Sequence, residues 1–164
     1  MHITAMVFII AAALCILPSL IAGAFKDIKE RKFPKEYWKW TPKIAGMFTF
    51  FAYLLIFMET GFYTPLTWIA FSIVCALAFY AAGIRFGSGG DWRALIYIAL
   101  ISPWLLPITV IGSLVSGFVL AIVYLMLPQD PLDPTPIFMR TVPFAVAILI
   151  GYVAAIILFA MHNL

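Results

Sequence analysis

The chain has 164 residues, of which 65% are hydrophobic and only 10% are charged, and its mean hydropathy is +1.11. A soluble domain carries roughly 25% charged residues, and one of this size cannot bury so much apolar surface, so the composition excludes a soluble fold. The net charge of +3 does not indicate nucleic-acid binding, because seven of the ten Lys and Arg residues lie between Lys26 and Lys43. The apolar runs are long and continuous, which predicts membrane-spanning helices and not a β-barrel.

The first predicted helix runs from about Ile3 to Phe25 and is interpreted as a retained membrane helix, not as a cleaved signal peptide. A loop rich in Lys, Arg, proline and aromatic residues follows it. Dense Lys and Arg near a membrane helix predict the cytoplasmic side, so the N-terminus is expected outside. Trp38 and Trp40 in this loop are typical of the aromatic belt at a membrane interface.

The second and third helices are predicted at about Ile44–Phe57 and Leu66–Ala82, with a short outer turn between them. Ala94–Leu127 is too long for one span, so we expect two short or tilted helices that break at Pro103–Pro107. The last helix is predicted at about Thr141–Met161. The chain is therefore expected to form one membrane-embedded domain, residues 1–164, of about six transmembrane helices with both termini outside.

Small residues on the fifth predicted helix indicate a face suited to close packing against another helix. These residues are Gly112, Ser113, Ser116 and Gly117.

Two of the seven acidic residues differ from the rest in their predicted position. Asp27 follows the first helix and Asp91 precedes the fourth, so the topology puts both at the cytoplasmic boundary. Two close carboxylates can share one proton, because like charges at short range cannot both ionise cheaply. The ionised member then accepts a proton from water while the neutral member donates one to a scissile carbonyl. Asp27 alone would be interpreted as a loop charge, and Asp91 alone would suit a charge at a helix start as well as a functional group. The pair, with its matched topology, favours aspartic protease chemistry.

Other types of site find little support in the sequence. His2 and His162 are predicted at the outer ends, far from the acids, and Cys15 and Cys75 lie inside apolar runs without a Cys-x-x-Cys pattern. The glycines of 87–90 are not followed by the Gly-Lys-Ser/Thr sequence of a P-loop. No metal, cofactor or nucleotide is expected.

Around the two aspartates the chain resembles the type IV prepilin peptidases, in particular the archaeal prepilin and preflagellin peptidases, which are membrane aspartic proteases of the Gly-x-Gly-Asp type. Asp27–Pro34 is similar to the first motif of that family, and Ser88–Leu95 is similar to the second. Val142–Phe144, at the start of the last helix, is similar to its final segment. The second motif departs from the pattern, because Ser88 replaces a glycine and Trp92 is bulky where small or branched residues are usual.

The resemblance implies an endopeptidase that removes the short basic leader of prepilin-like precursors at the cytoplasmic face of the plasma membrane. Asp27 and Asp91 would activate water, and the small residues Ser88, Gly89 and Gly90 would let the substrate backbone approach. Two arginines at the motifs would shape the site or anchor at lipid headgroups; they are Arg31 and Arg93. The cysteine segment of bacterial members is absent from the sequence, so N-methyltransferase activity is not expected.

The expected partners are the precursor proteins and membrane lipids. Two alternatives stay open. One is an intramembrane protease of the presenilin type, although the chain has fewer helices and lacks that family's Tyr-Asp and Pro-Ala-Leu elements. The other is a non-enzymatic membrane protein, such as a small transporter or an assembly subunit.

Overall fold

The computed structural model describes residues 3–30, 38–86, 89–126 and 144–163, except for the side chains of residues 29, 30, 86, 89–91, 124 and 125. Within these ranges the chain is all-helical, with six α-helices and no strand. The helices are α1 (Ile3–Glu30), α2 (Thr41–Thr60), α3 (Tyr63–Phe86), α4 (Gly89–Ile101), α5 (Leu106–Met126) and α6 (Phe144–Asn163).

Five of the six helices in the described ranges are long and apolar enough to cross a membrane, and α4 is the exception. With 13 residues, α4 is about 20 Å long at ~1.5 Å per residue, which is less than the ~30 Å hydrocarbon core. The prediction of a helical, multi-pass membrane protein therefore agrees with the fold, but the fourth helix is too short to be a full span.

The first helix extends five residues beyond its predicted end, to Glu30. The residues from Lys26 to Glu30 are mostly good helix formers, and no proline follows before Pro34, so the charged segment continues the helix. The residues from Lys26 to Glu30, which were predicted to belong to a loop, are therefore helical. Asp27 therefore lies on the last turns of α1.

A buried turn, residues 102–105, separates α4 from α5, so the predicted break at Pro103 is confirmed. Pro107 lies in the first turn of α5, where its missing N–H costs no helical hydrogen bond. Two side chains from other helices satisfy carbonyls at the end of α4. The Thr49 hydroxyl of α2 donates to the Ile101 carbonyl at 2.6 Å, and the Ser72 hydroxyl of α3 donates to the Ala99 carbonyl.

The α5–α6 contact uses the small-residue face that the sequence predicted. A Cβ atom on Gly112 would lie 2.8 Å from the Cα of Gly151, and a Cβ on Gly151 would lie 2.5 Å from the Thr109 carbonyl oxygen. The Ser116 hydroxyl also donates to the Ala147 carbonyl of α6 at 3.1 Å. The two backbones therefore approach as closely as small residues allow.

Consecutive helices run in opposite directions. Near one end of the bundle α1 contacts the start of α6, α3 packs against the start of α4, and α2 begins beside α1. We call this the Asp27 end: the end where α1 and α3 finish and where α2, α4 and α6 begin.

Candidate active site

Asp27 is half-buried, and its side chain is hydrogen-bonded to the start of α6. Its Oδ2 atom accepts a hydrogen bond of 3.2 Å from the backbone N–H of Ala145, the second residue of that helix. The first N–H groups of a helix have no partner within the helix, and its N-terminus favours negative charge. A carboxylate has about four lone-pair sites, so one such bond still leaves capacity for a water molecule or a substrate group.

Asp91 is the third residue of α4, and its side chain lies outside the described part of the chain. Gly89 and Gly90 precede it in the first turn of the same helix. A helix that begins two residues before an aspartate places that residue near the positive end of the helix dipole. The backbone of Asp91 is thus at the Asp27 end of the bundle.

Two contacts relate the level of α1 to that of α4. The Ser19 hydroxyl oxygen lies 2.6 Å from that of Thr41, at the start of α2. Trp38, just before α2, stacks on Tyr97 of α4 with ring centroids 5.0 Å apart and planes at 10°. These two contacts place Ser19 and Tyr97 in the half of the bundle that contains the start of α2.

From these two residues both aspartates lie toward the Asp27 end of the bundle. Asp27 is eight residues beyond Ser19, or ~12 Å along α1, and Asp91 is six residues before Tyr97, or ~9 Å along α4. The helices α1 and α4 are also in contact. The fold thus brings the backbones of the two predicted catalytic residues to the same end of the bundle, on helices that touch each other.

Trp38 is buried within the bundle, which the sequence did not predict. Its side chain is only 7% exposed, because the ring is enclosed by the bundle and lies flat on Tyr97. Trp40, in contrast, is 63% exposed. The ammonium groups of Lys39 and Lys43 lie 5.9 and 5.0 Å from its ring centroid. The two tryptophans therefore differ in packing: Trp38 lies inside the bundle, and Trp40 lies outside it beside two ammonium groups.

Among the other predicted site residues, Ser88 and Arg31 lie outside the described residues. Arg93 is exposed and borders an open groove between α3 and α4, with a volume of about 180 Å³. The groove is lined by Tyr80, Gly83, Ile84, Trp92, Arg93 and Ile96.

Gly83 is a residue that the sequence reasoning missed. A Cβ atom at this position would lie 3.1 Å from the Cβ of Trp92, so the glycine makes room for the bulky side chain beside Asp91. Trp92 is bulkier than the residue that is usual at this place in the second motif. A bulky residue at the start of one helix and a glycine near the end of the preceding helix together indicate that the two antiparallel helices approach closely there.

The part of the chain that the structure describes contains no group of three or more His, Cys, Asp or Glu residues that could hold a metal ion. Cys15 and Cys75 are both free thiols. The described side chains at the Asp27 end include the carboxylate of Asp27 and the guanidinium groups of Arg85 and Arg93.

Compared with known proteins, the chain matches no family model, no curated protein and no solved structure.

Proposed function

We propose that the protein is a membrane aspartic endopeptidase that removes the short basic leader of prepilin-like precursors. The observation that carries the proposal is that Asp27 and the backbone of Asp91 lie at the same end of the bundle, on two helices in contact. The motif resemblance around the same two residues supports it. In this proposal the Asp27 end faces the cytoplasm, both termini lie outside, and the membrane is the plasma membrane.

The surroundings of Asp27 suggest how the two carboxylates divide their roles. The Ala145 N–H donates to one carboxylate oxygen of Asp27, which is an acceptor in this contact. We assign Asp27 as the base that takes a proton from water, whose oxygen attacks the scissile carbonyl carbon. Asp91 then donates its proton to the carbonyl oxygen. The resulting diol then collapses and the C–N bond breaks. Asp27 gives the proton that it took from water to the leaving nitrogen, and Asp91 takes a proton back from a hydroxyl of the diol.

The position of the pair suits a substrate with a basic leader followed by a hydrophobic helix. The substrate helix would lie among the apolar helices, and its leader would extend beyond them. The peptide bond between these two parts would then lie at the membrane boundary, the level at which α1 ends and α4 begins.

The hydrogen bond from Ala145 also supports a second candidate function. In a non-enzymatic membrane protein, such as a small transporter or an assembly subunit, Asp27 would simply fix the start of α6. Aspartate at a helix N-terminus commonly has this structural role. The two proposals differ in whether Asp27 has to ionise.

Asparagine variants separate the two functions. The change Asp27→Asn keeps an oxygen that can accept the Ala145 N–H, but it removes the titratable group. We expect wild type to cleave a basic-leader substrate in liposomes, and Asp27→Asn and Asp91→Asn each to lose at least about 100-fold in rate. Glu59→Gln is the matched control, because Glu59 is an exposed acid at the opposite end of α2.

Cleavage by both asparagine variants at the wild-type rate would show that the mechanism is wrong. If wild type cleaves no basic-leader substrate, the non-enzymatic function explains the structure better than the peptidase function does. Thermal denaturation of the same variants in detergent provides the structural control, since Asp27→Ala removes the α6 contact whereas Asp27→Asn preserves an acceptor.

A further inference from the structure

The groove between α3 and α4 has apolar walls and is open to the outside of the bundle. Tyr80 and Ile84 on α3 are 61% and 70% exposed, and Ile96 belongs to the facing wall on α4. Trp92 lines the groove as well and packs against Gly83, so a tryptophan ring contributes to its surface where the two helices come closest. A surface of this shape and polarity suits a hydrocarbon chain.

One end of the groove is cationic. Arg93 lines it, and the side chain is exposed. The groove lies within about two turns of the end of α3 and the start of α4, which is the boundary of the apolar part of the bundle. An arginine at this level can donate two parallel N–H bonds to a phosphate group. Basic pockets between membrane helices are known to take anionic lipid headgroups.

We propose that this groove binds one anionic phospholipid, with its acyl chain between α3 and α4 and its phosphate at Arg93. Charge decides between this ligand and the other amphipathic candidate, a peptide with a basic leader. Arg93 attracts a phosphate but repels a cationic segment at the same place. The proposal does not depend on peptidase activity, because lipid binding is measured without cleavage.

The test uses the full chain in a non-ionic detergent, with equal amounts of phosphatidylglycerol and phosphatidylcholine that carry the same acyl chains. Native mass spectrometry counts the retained lipids. We expect wild type to retain one phosphatidylglycerol in preference to phosphatidylcholine. Arg93→Gln should reduce this retention about fivefold, the effect of one basic residue at an anionic headgroup. Arg93→Lys keeps the charge and should retain most of the preference.

The matched control is Arg85→Gln, which removes the same charge from an exposed position near the end of α3 that does not line the groove. Its phosphatidylglycerol retention should fall by less than twofold. A second measurement locates the acyl chain. Phosphatidylglycerol with brominated chains should quench the tryptophan emission of wild type more than that of Trp92→Phe.

Three outcomes would overturn the proposal. If Arg85→Gln and Arg93→Gln lose retention equally, the attraction is diffuse and the groove is not a site. If wild type does not prefer phosphatidylglycerol, no anionic headgroup is recognised. If a basic-leader peptide is retained instead, and is lost in Arg93→Gln, the groove binds peptide and not lipid.

Discussion

The helices α6 and α3 are similar in length and both strongly apolar, but they have different neighbours. α6 packs against α5, α1 and α4, and one of its faces carries buried residues at intervals of three and four: Ala145, Ile148, Tyr152 and Ala155. α3 packs mainly against α4, and most of its large side chains are exposed.

This difference shows that the length of an apolar run indicates whether a helix can span a membrane, but not which helices it packs against. Apolar length identifies both helices as candidate spans. Their contacts follow the small residues instead, because lipid tails are as apolar as leucine and provide no hydrophobic reason for two helices to associate. On α3 these contacts involve Ser72, Ala76 and Gly83.

The largest effect is expected for Gly151→Ala in α6. The new Cβ would lie 2.5 Å from the Thr109 carbonyl oxygen and 2.6 Å from the Ser113 nitrogen, so the backbone of α5 has to move. We expect a loss of about 3 kcal/mol in stability, the upper part of the usual range for overpacking. Thermal denaturation in detergent measures it.

Gly46→Ala is the control for this change, since a Cβ there meets no atom within 4 Å. Equal denaturation temperatures for Gly151→Ala and Gly46→Ala would mean that the close α5–α6 contact is not as described.

A smaller effect is expected for Tyr152→Phe, which keeps the packing of α6 but removes a buried hydroxyl. This hydroxyl lies 3.2 Å from the Ser102 hydroxyl and donates to the Ala13 carbonyl at 3.3 Å. Hydrogen bonds between membrane helices contribute modestly, so we expect a loss of about 1 kcal/mol. Chemical denaturation of both proteins gives the difference, and Tyr63→Phe, at an 82% exposed position, should leave stability unchanged.

The smallest effect is expected for Leu77→Ala in α3. Leu77 is 62% exposed, so the change should alter stability by less than about 0.5 kcal/mol in bicelles. Ala76→Leu is the counterpart one residue away: Ala76 is 8% exposed, and a larger side chain there should destabilise the contact with its neighbours. Similar results for the two variants would show that α3 has no preferred packing face.

Much of the fold follows from local sequence patterns. Continuous apolar runs predicted the helices, Pro103 predicted the break after α4, and Gly112 predicted the close face of α5. The end of α1 was misplaced because a run of charges suggests a loop, whereas helix propensity continues through Glu30. The burial of Trp38 was missed for a different reason: it depends on Tyr97, which is distant in the chain.

At the candidate site, too, contacts between residues that are distant in the chain could not be predicted from the sequence. Hydrophobic patterning and topology were enough to predict that Asp27 and Asp91 share one end of the bundle. The hydrogen-bond partner of Asp27 is a backbone N–H that is 118 residues away. Nearly every residue has a backbone N–H, so no residue type in the sequence indicates this contact. Gly83 became meaningful only when the antiparallel packing of α3 and α4 placed it opposite Trp92.

The short length of α4 has a consequence for the order of assembly. Its last carbonyls end inside the bundle, where each unsatisfied polar group would cost several kcal/mol, and hydroxyls from Thr49 and Ser72 satisfy two of them. Both hydroxyls precede α4 in the chain. During synthesis the two donor hydroxyls, on α2 and α3, are therefore made before the carbonyls of α4 that accept from them. These carbonyls can be satisfied by helices that already exist, and they do not depend on a helix made later.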